Sequence, residues 1–327
     1  MNLLTVEPSP HFKSPVTTQR IMLHVIIALM PALGVAVYVF GWRALLMTAV
    51  CVASCIIFEW ACRAVMHRDN TISDLSAVVT GLLISFNLPV NLPFYMAVIG
   101  CFAAIVVVKQ LFGGIGQNFA NPAIVARIVL MLSFTTQMSS YAKPFYYKLA
   151  ATDALTGATP LQFDTVTGAT PSATVPHLLD MFLGFHGGSL GEVSEAAILI
   201  GFIYLLITRV ISPITPVAFV GIVALGSFVA GRNVLFELTT GGLMLGAVFM
   251  ATDYATTPLT KKGKLLFGLI CGIITLIIRM FGSLSEGVAF SILLANILTP
   301  YLDKVSISIP FGAIIPKKEK AVKNENH

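Results

Sequence analysis

The chain has 327 residues, of which 56% are hydrophobic and only 11% are charged, and its mean hydropathy is +0.87. Soluble domains carry about 25% charged residues, so this composition cannot cover a globule with a solvated surface. It predicts an integral membrane protein. We interpret the net charge of +5 as a signature of membrane topology rather than of nucleic-acid binding, and we expect no nucleic-acid partner.

Ten apolar runs are separated by polar, proline or glycine breaks, and each predicts a membrane-spanning helix. The third and eighth runs are too short to cross a bilayer unaided. In chain order the runs are 20–40, 43–64, 74–88, 93–111, 119–134, 194–211, 215–231, 240–252, 265–281 and 286–302.

The basic residues give the predicted chain an orientation. Ten spans place both termini on one side, and most of the 20 Lys and Arg side chains lie on that side, which is therefore cytoplasmic. The predicted segments are a cytoplasmic N-terminal segment (1–19), a first five-helix repeat (20–134), an outer-face segment (135–193), a second five-helix repeat (194–303) and a cytoplasmic basic tail (304–327).

An internal duplication divides the spans into two halves. Segment 112–128, FGGIGQNFANPAIVARI, aligns without gaps with segment 281–297, FGSLSEGVAFSILLANI. Further upstream, Gly81 of the third run aligns with Gly246 of the eighth. Two halves of five spans must insert with opposite topology, and in inverted repeats the functional site lies where short or broken helices meet. Chance similarity between apolar segments is the alternative.

Five polar residues near the repeat interface are candidates for binding. Arg127 and Asn296 occupy equivalent positions in spans five and ten, and a charge within the membrane normally faces a partner or a wet cavity. Arg127 either holds an anionic group or ties helices together. Asn118 and Asn121 break the start of span five. Asp253, at the end of short span eight, is either an ion ligand or a turn residue.

Other acidic residues in or near the spans receive structural interpretations. We expect Glu59 to pair with Arg63 one helical turn away. We expect Glu192 and Glu195 to be favourable charges at the start of span six rather than ion ligands.

The cysteines predict no metal site. All five lie in apolar segments, without a Cys-x-x-Cys pair or a neighbouring histidine, so neither a disulfide framework nor a zinc or iron–sulfur site is indicated. No residue of the chain is predicted to be catalytic. The cysteines are Cys51, Cys55, Cys62, Cys101 and Cys271.

The outer segment carries a short motif twice. Asp-x-x-Thr-Gly-Ala-Thr-Pro begins at Asp153 and again at Asp164, and its last threonines are Thr159 and Thr170. Glycine favours a turn, alanine is small, and proline fixes the backbone that follows, so each threonine hydroxyl is presented on an open loop. A modifying enzyme could reach such a hydroxyl.

These residues carry a resemblance to a known family. The motif is similar to the signature at which a flavin transferase joins flavin mononucleotide (FMN) through its phosphate to the last threonine. The segments 76–89, 112–127, 188–195 and 249–264 look like those of the family that contains the D component of the Rnf complex and the B component of the Na+-pumping NADH:quinone oxidoreductase. The resemblance covers essentially the whole chain.

The resemblance implies a urea-channel-like, all-α, ten-helix subunit of an ion-translocating ferredoxin:NAD+ oxidoreductase in the cell membrane of a prokaryote. It implies covalent FMN on Thr159, which we favour over Thr170 because of the longer stretch that follows, with Asp153, Gly157 and Ala158 as motif partners. It also implies a second, non-covalent flavin, riboflavin, between the helices near the cytoplasmic face. Ferredoxin and NAD would bind to partner subunits.

The function expected from this resemblance is electron relay coupled to Na+ or H+ translocation. Flavin reduction would open or close an ion path at the repeat interface, along which we place Asp253 and Asn296. The alternative is a small-solute channel or transporter with the same inverted-repeat fold. A third possibility is a structural anchor for redox partners.

Overall fold

The computed structural model describes residues 17–148, 156–157, 178–282 and 286–306, and these form a mostly helical chain. The helices are α1 (Thr18–Phe40), α2 (Trp42–Val65), α3 (Ser76–Phe86), α4 (Phe94–Phe102), α5 (Pro122–Ser133), α6 (Thr135–Met138), α7 (Leu178–Leu183), α8 (Glu195–Ile207), α9 (Ile214–Val229), α10 (Val234–Leu238), α11 (Leu243–Leu245), α12 (Lys261–Phe281) and α13 (Val288–Ser306). π-Helical turns continue α4 through Ala103–Gln110 and α11 through Gly246–Met250, and 3-10 turns lie at Ile72–Asp74 and Tyr146–Lys148.

Four helices, α1, α2, α12 and α13, are each long and apolar enough to cross a membrane. Large apolar side chains such as Leu45, Ile203 and Phe228 remain exposed on the helices, where lipid rather than water is the fitting solvent. The chain is therefore a multi-pass membrane protein. Each of the ten predicted apolar runs contains a helix, although α3 and α11 are too short to span alone.

Local sequence explains where several helices begin. The side chains of Thr17, Ser194 and Thr260 each accept a hydrogen bond from a backbone N–H in the first turn of α1, α8 and α12. Asn121 caps α5 in the same way, and Pro122 follows at the first helical position, where its missing N–H costs nothing.

Glycines allow two close helix contacts in the core. A Cβ atom on Gly81 of α3 would lie 2.7 Å from the Cα atom of Val52 in α2. One on Gly201 of α8 would lie 2.3 Å from the carbonyl oxygen of Ala28 in α1. Small residues at such crossings let membrane helices approach backbone to backbone, so Gly81 brings α3 close to α2 and Gly201 brings α8 close to α1.

A two-stranded antiparallel sheet lies in the segment 135–193, which the sequence predicts to be on the outer face. Strand β1 (Tyr141–Ala142) pairs with β2 (Thr156–Gly157), with Tyr141 opposite Gly157. This sheet is the one departure from an all-α fold among the described residues. Through Tyr141–Ala142, it pairs the Thr156–Gly157 part of the threonine motif with the chain that follows α6.

Candidate functional site

A cavity lies between the first turns of α3, the loop before α5 and the loop after α11. Its volume is about 90 Å3, below the roughly 300–1,000 Å3 typical of preformed small-molecule sites. Apolar side chains from α1, α8 and the loop after α8 form one wall. The polar lining comes from Ser76, Thr80, Lys109, Asn118, Asn121, Thr252 and Asp253.

The structure brings three of the predicted site residues together beside this cavity. Asp253 accepts hydrogen bonds from the Ala255 N–H (3.4 Å) and the Thr256 hydroxyl (3.2 Å). With its amide oriented to satisfy both neighbours, Asn296 donates to the Thr256 carbonyl (3.2 Å) and accepts from the Asn121 N–H (3.1 Å). The two half-chains therefore meet through one connected set of polar groups.

Lys109 forms a buried ion pair at the edge of the cavity. Its Nζ atom lies 2.7 Å from Glu59 Oε2 and donates to the Ser76 hydroxyl, also at 2.7 Å. Thr71 donates to the other carboxylate oxygen of Glu59 at 3.0 Å. The predicted Glu59–Arg63 pair is wrong, because burial of Glu59 against α4 gives it a lysine partner within the protein.

Arg127 lies at the centre of a second buried cluster, which we call the Arg127 cluster: Asn87, Arg127, Tyr141, Glu192 and Glu286. Arg127 donates to the side-chain oxygen of Asn87 (2.6 Å), to Glu192 Oε1 (3.0 Å) and to Glu286 Oε2. Tyr141 donates its hydroxyl proton to Glu286 Oε1 at 3.1 Å. All five side chains are buried. Two carboxylates thus face one guanidinium.

The loop before α8 adds further titratable groups to this cluster. His186 is buried, and burial lowers its pKa, so the ring is neutral at neutral pH. Burial and the nearby Glu192 raise the pKa of Tyr141, which keeps its hydroxyl protonated as a hydrogen-bond donor. The prediction that Glu192 is only a helix N-terminal charge is wrong, since Glu192 is an ion-pair partner of Arg127.

The threonine motif is only partly within the described residues. Gly157 lies in β2 opposite Tyr141. Asp153, Ala158, Thr159 and Thr170 lie outside the described residues. Of the motif, the structure thus fixes only the backbone of Thr156–Gly157, which pairs with Tyr141 of the Arg127 cluster.

Sequence reasoning missed several residues of the Arg127 cluster. Glu286 aligns with Gln117 in the internal duplication, and an acidic residue beside an apolar run could have identified it. Asn87 and Tyr141 gave no such signal, because they come from separate segments that only the fold brings to Arg127.

Comparison with known proteins identifies the family. A family model described as the NQR2, RnfD, RnfE family matches residues 5–312. The chain belongs to this family. The resemblance stated from the sequence motifs is confirmed, because members of this family also give the similar sequences described below.

Three relatives are similar to this chain over nearly its whole length. A protein of Acetobacterium woodii, named as the D component of a Na(+)-translocating ferredoxin:NAD(+) oxidoreductase complex, is 43% identical, covering 97% of this chain and 98% of its own. The D component of the proton-translocating ferredoxin:NAD(+) oxidoreductase complex of Clostridium ljungdahlii is 36% identical, covering 95% and 97%. The D component of the ion-translocating oxidoreductase complex of Stutzerimonas stutzeri is 37% identical, covering 90% and 92%.

The names of these NQR2, RnfD, RnfE family relatives differ in the ion that they state. One is named for Na+ and one for the proton. In the part of the chain that the structure describes, no group of three or more His, Cys, Asp or Glu side chains could hold a metal ion.

Proposed function

We propose that the chain is the membrane subunit of an ion-translocating ferredoxin:NAD+ oxidoreductase complex of the Rnf type. In this proposal it carries FMN esterified to Thr159, relays electrons between partner subunits and couples their passage to Na+ or H+ translocation. The observation that carries the proposal is the threonine motif, in a chain whose relatives over nearly its whole length are named as subunits of such complexes.

Two residues within the motif, Thr156 and Gly157, are held by backbone pairing, which suits a tethered cofactor. Backbone pairing of Gly157 with Tyr141 fixes the chain two residues before Thr159. A tether keeps a cofactor at high local concentration even where dissociation into the outer medium would be irreversible. The flavin supplies the redox chemistry, and the protein supplies its position and its electrostatic environment.

We propose the cavity beside α3 as the place of a second flavin, riboflavin. Its walls are mainly apolar, as a flavin ring requires, and Lys109 and Asn121 lie among its polar groups. The side-chain oxygen of Asn118 lines it and has no hydrogen-bond partner among the described residues. Such an orphaned acceptor suits a ring N–H donor of a ligand.

We also propose that the helices form two inverted five-helix repeats, with α1 to α5 repeated by α8, α9, α11, α12 and α13. Buried base–acid pairs support the symmetry, because Lys109 near the end of the fourth helix pairs with Glu59, and Arg279 at the end of α12 pairs with Glu237 (2.9 Å). Both aligned glycines of the short helices, Gly81 and Gly246, sit in contacts too tight for a Cβ atom.

The contacts of α5 and α13 support the same arrangement. Arg127 in the middle of α5 bonds to Glu286 just before α13, and Asn296 in the middle of α13 bonds to Asn121 just before α5. Two equivalent helices that exchange such contacts run antiparallel. We place the ion path along this interface, with Asp253 and Asn296 on its cytoplasmic half.

The partners follow from what the chain lacks. The sequence has no cysteine cluster and no nucleotide-binding fingerprint, so ferredoxin and NAD bind to other subunits of the complex in this proposal. Maturation requires a flavin transferase. We place both termini in the cytoplasm and the threonine motif on the outer face of the cell membrane.

Substitution of the two candidate threonines tests the proposal. Thr159→Val keeps the shape of the side chain and removes the ester oxygen, so covalent flavin fluorescence in a denaturing gel should disappear. Thr170→Val is the matched control and should retain the fluorescence. The reverse pattern would move the flavin to Thr170, and absence of flavin from the wild-type complex would favour the small-solute channel.

A further inference from the structure

The internal duplication relates two cavities that lie at opposite ends of the short helix α3. Ser76 and Thr252 line the cavity beside the first turn of α3. At the offset that relates the two short helices, their equivalents are Gly241 and Asn87, and both of these line a pocket beside the Arg127 cluster. The two cavities are therefore equivalent, with the roles of the two halves of the chain exchanged.

These equivalent cavities differ in size and in access to the surface. The cavity beside the first turn of α3 has a volume of about 90 Å3, and Ile115 and Tyr254 in its lining are also exposed at the surface. The pocket beside the Arg127 cluster has a volume of only about 10 Å3, close to the minimum for one water molecule, and all of its lining side chains are buried. One cavity is thus open and the other is closed.

The loops before α5 and before α13 account for this difference. Gln117 and Glu286 occupy equivalent positions in these loops. Glu286 is 5% exposed and lies in the lining of the closed pocket, where it accepts a hydrogen bond from Arg127. Gln117 is exposed, and its side chain folds back over Gly113, where a Cβ atom would clash with its Oε1. The same position is therefore seated in one loop and unseated in the other.

The helix residues that receive these side chains are equivalent as well. Arg127 in the middle of α5 aligns with Asn296 in the middle of α13. Arg127 holds Glu286, whereas the amide of Asn296 bonds to two backbone groups, at 3.1 and 3.2 Å, and not to Gln117. The structure thus contains one closed and one open copy of the same contact.

The chemistry of the two contacts explains which copy is closed. A hydrogen bond between a guanidinium and a carboxylate is about twice as strong as one between neutral groups. Burial strengthens it further, because charges are poorly screened there. The fold therefore favours the state in which Glu286 is seated on Arg127. Gln117 and Asn296 can offer only a weaker, neutral contact.

Glycines allow the loop before α5 to change its conformation at little cost. Gly113, Gly114 and Gly116 have φ values of +122°, +104° and +85°. A Cβ atom on Gly116 would meet no other atom within 4 Å. Glycine reaches both positive and negative φ readily, so this loop can move without repacking side chains at these positions.

We propose that the two loops are the gates of one alternating-access device. We call the contact of Glu286 with Arg127 the Arg127 gate and that of Gln117 with Asn296 the Asn296 gate. In the structure the Arg127 gate is closed and the Asn296 gate is open. In the opposite state Gln117 is seated on Asn296 and Glu286 leaves Arg127, so that each half takes the conformation that the other half has now.

This device rests on the inverted repeats and the orientation in the proposed function, and it adds which residues close each side. Inverted-repeat transporters alternate by moving or gating one repeat against the other around a fixed site. In the proposed orientation the Asn296 gate faces the cytoplasm and the Arg127 gate faces the outer medium. The structure is accordingly the state that is open to the cytoplasm.

Labelling of single cysteines from each side of the membrane tests the gates. Thr80→Cys places a thiol in the open cavity, and Val288→Cys places one in the closed pocket. With a membrane-impermeant thiol reagent, Thr80→Cys should react in inside-out vesicles, and Val288→Cys should not react in right-side-out vesicles. The wild type measures the background from the native cysteines.

Glu286→Gln gives the Arg127 gate the residue of the other loop and removes its ion pair. It should raise the labelling rate of Val288→Cys from the outer side by about tenfold, the shift expected from loss of one hydrogen bond between charged groups. The rate of Thr80→Cys should not rise, whereas a loosened fold would raise both rates. Glu195→Gln replaces an equally buried carboxyl group outside both gates and should change neither rate.

The reverse exchange tests the Asn296 gate. Gln117→Glu together with Asn296→Arg copies the ion pair into the loop before α5, so the labelling rate of Thr80→Cys from the cytoplasmic side should fall by about tenfold. Gln117→Glu alone supplies no cationic partner and should leave the rate unchanged. If the double variant does not assemble, the rate of Val288→Cys in Glu286→Gln decides, and an unchanged rate there overturns the proposal.

The same vesicles separate the gates from the proposed flavin function. Wild-type complex without covalent flavin whose labelling follows the expected pattern contradicts the flavin and leaves the gates standing. Complex that carries FMN but whose labelling rates change in neither gate variant contradicts the gates only. Reaction of Thr80→Cys and Val288→Cys from the same side contradicts the inverted repeats, and the gates with them.

Discussion

Tyr141 is the residue through which the outer segment contacts the Arg127 cluster. Removing its hydroxyl with Tyr141→Phe leaves a buried carboxylate oxygen of Glu286 without this donor. The loss should lower the free energy of unfolding by about 1–3 kcal/mol, the usual cost of an unsatisfied buried polar group. Thermal melting of the purified complex measures it. Tyr95→Phe, at an exposed tyrosine, is the control and should leave the melting temperature unchanged.

The buried His186 should make the folded protein less stable at acid pH. Because burial lowers its pKa in the folded state, the unfolded chain binds a proton more readily, and stability from this residue is lost as pH falls below about 6.5. His186→Asn should reduce the loss of stability between pH 6.5 and 5. His67→Asn, at an exposed histidine, should leave it unchanged. Equal acid sensitivity in all three proteins would contradict the buried neutral histidine.

The sequence identified buried charged residues such as Arg127, but it did not identify the residues that they contact. Arg127 could be singled out because a charge in an apolar run needs a partner, but its acceptors come from three distant segments. Glu59 illustrates the same limit. Its spacing to Arg63 suggested a pair within one helix, whereas burial favoured Lys109 from another helix.

Two glycines with positive φ differ in the space around them: Gly242, at the start of α11, is tightly packed, and Gly116, in the loop before α5, is open. Gly242 has φ +64°, and a Cβ there would lie 2.6 Å from Glu192 Oε1. Gly116 has φ +85° and no atom within 4 Å of a Cβ. Ala at Gly116 should cost about 1 kcal/mol of backbone strain, and Ala at Gly242 about 1–3 kcal/mol more from the clash. Melting of Gly116→Ala and Gly242→Ala compares them, and equal effects would contradict the packing described for α11.

Helix positions were largely predictable from the sequence. Apolar runs bounded by Pro, Gly and capping residues identify where helices begin and end, as at Asn121 and Pro122. The sheet between β1 and β2 was not predictable, because strands of two residues carry no periodicity. Their pairing depends on the outer segment folding back on the helical body.

The orientation of the whole molecule can be tested by labelling. We expect Lys143→Cys, on the outer segment, to react with a membrane-impermeant thiol reagent added to intact cells. Lys262→Cys, at the start of α12, should react only after the membrane is opened. Both positions are exposed in the structure, so accessibility depends on the side of the membrane. Labelling of Lys262→Cys in intact cells would contradict a cytoplasmic position for this loop.

The short helix α3 connects the cavity, at its first turn, with the Arg127 cluster, at its last turn. The cavity and Asp253 lie on one side of the short helices, and the Arg127 cluster lies on the other, next to the threonine motif. Asn87 at the end of α3 belongs to the Arg127 cluster, while Ser76 at its start lines the cavity. Electron carriers and an ion path built on this frame would share the repeat interface.

Mass spectrometry of peptides covering residues 149–180 from the purified complex tests the central claim most directly. The account predicts one peptide whose mass is raised by an FMN phosphoester and whose fragments assign the ester to Thr159. Peptides from the whole segment that carry no flavin would contradict the claim that this protein holds covalent FMN.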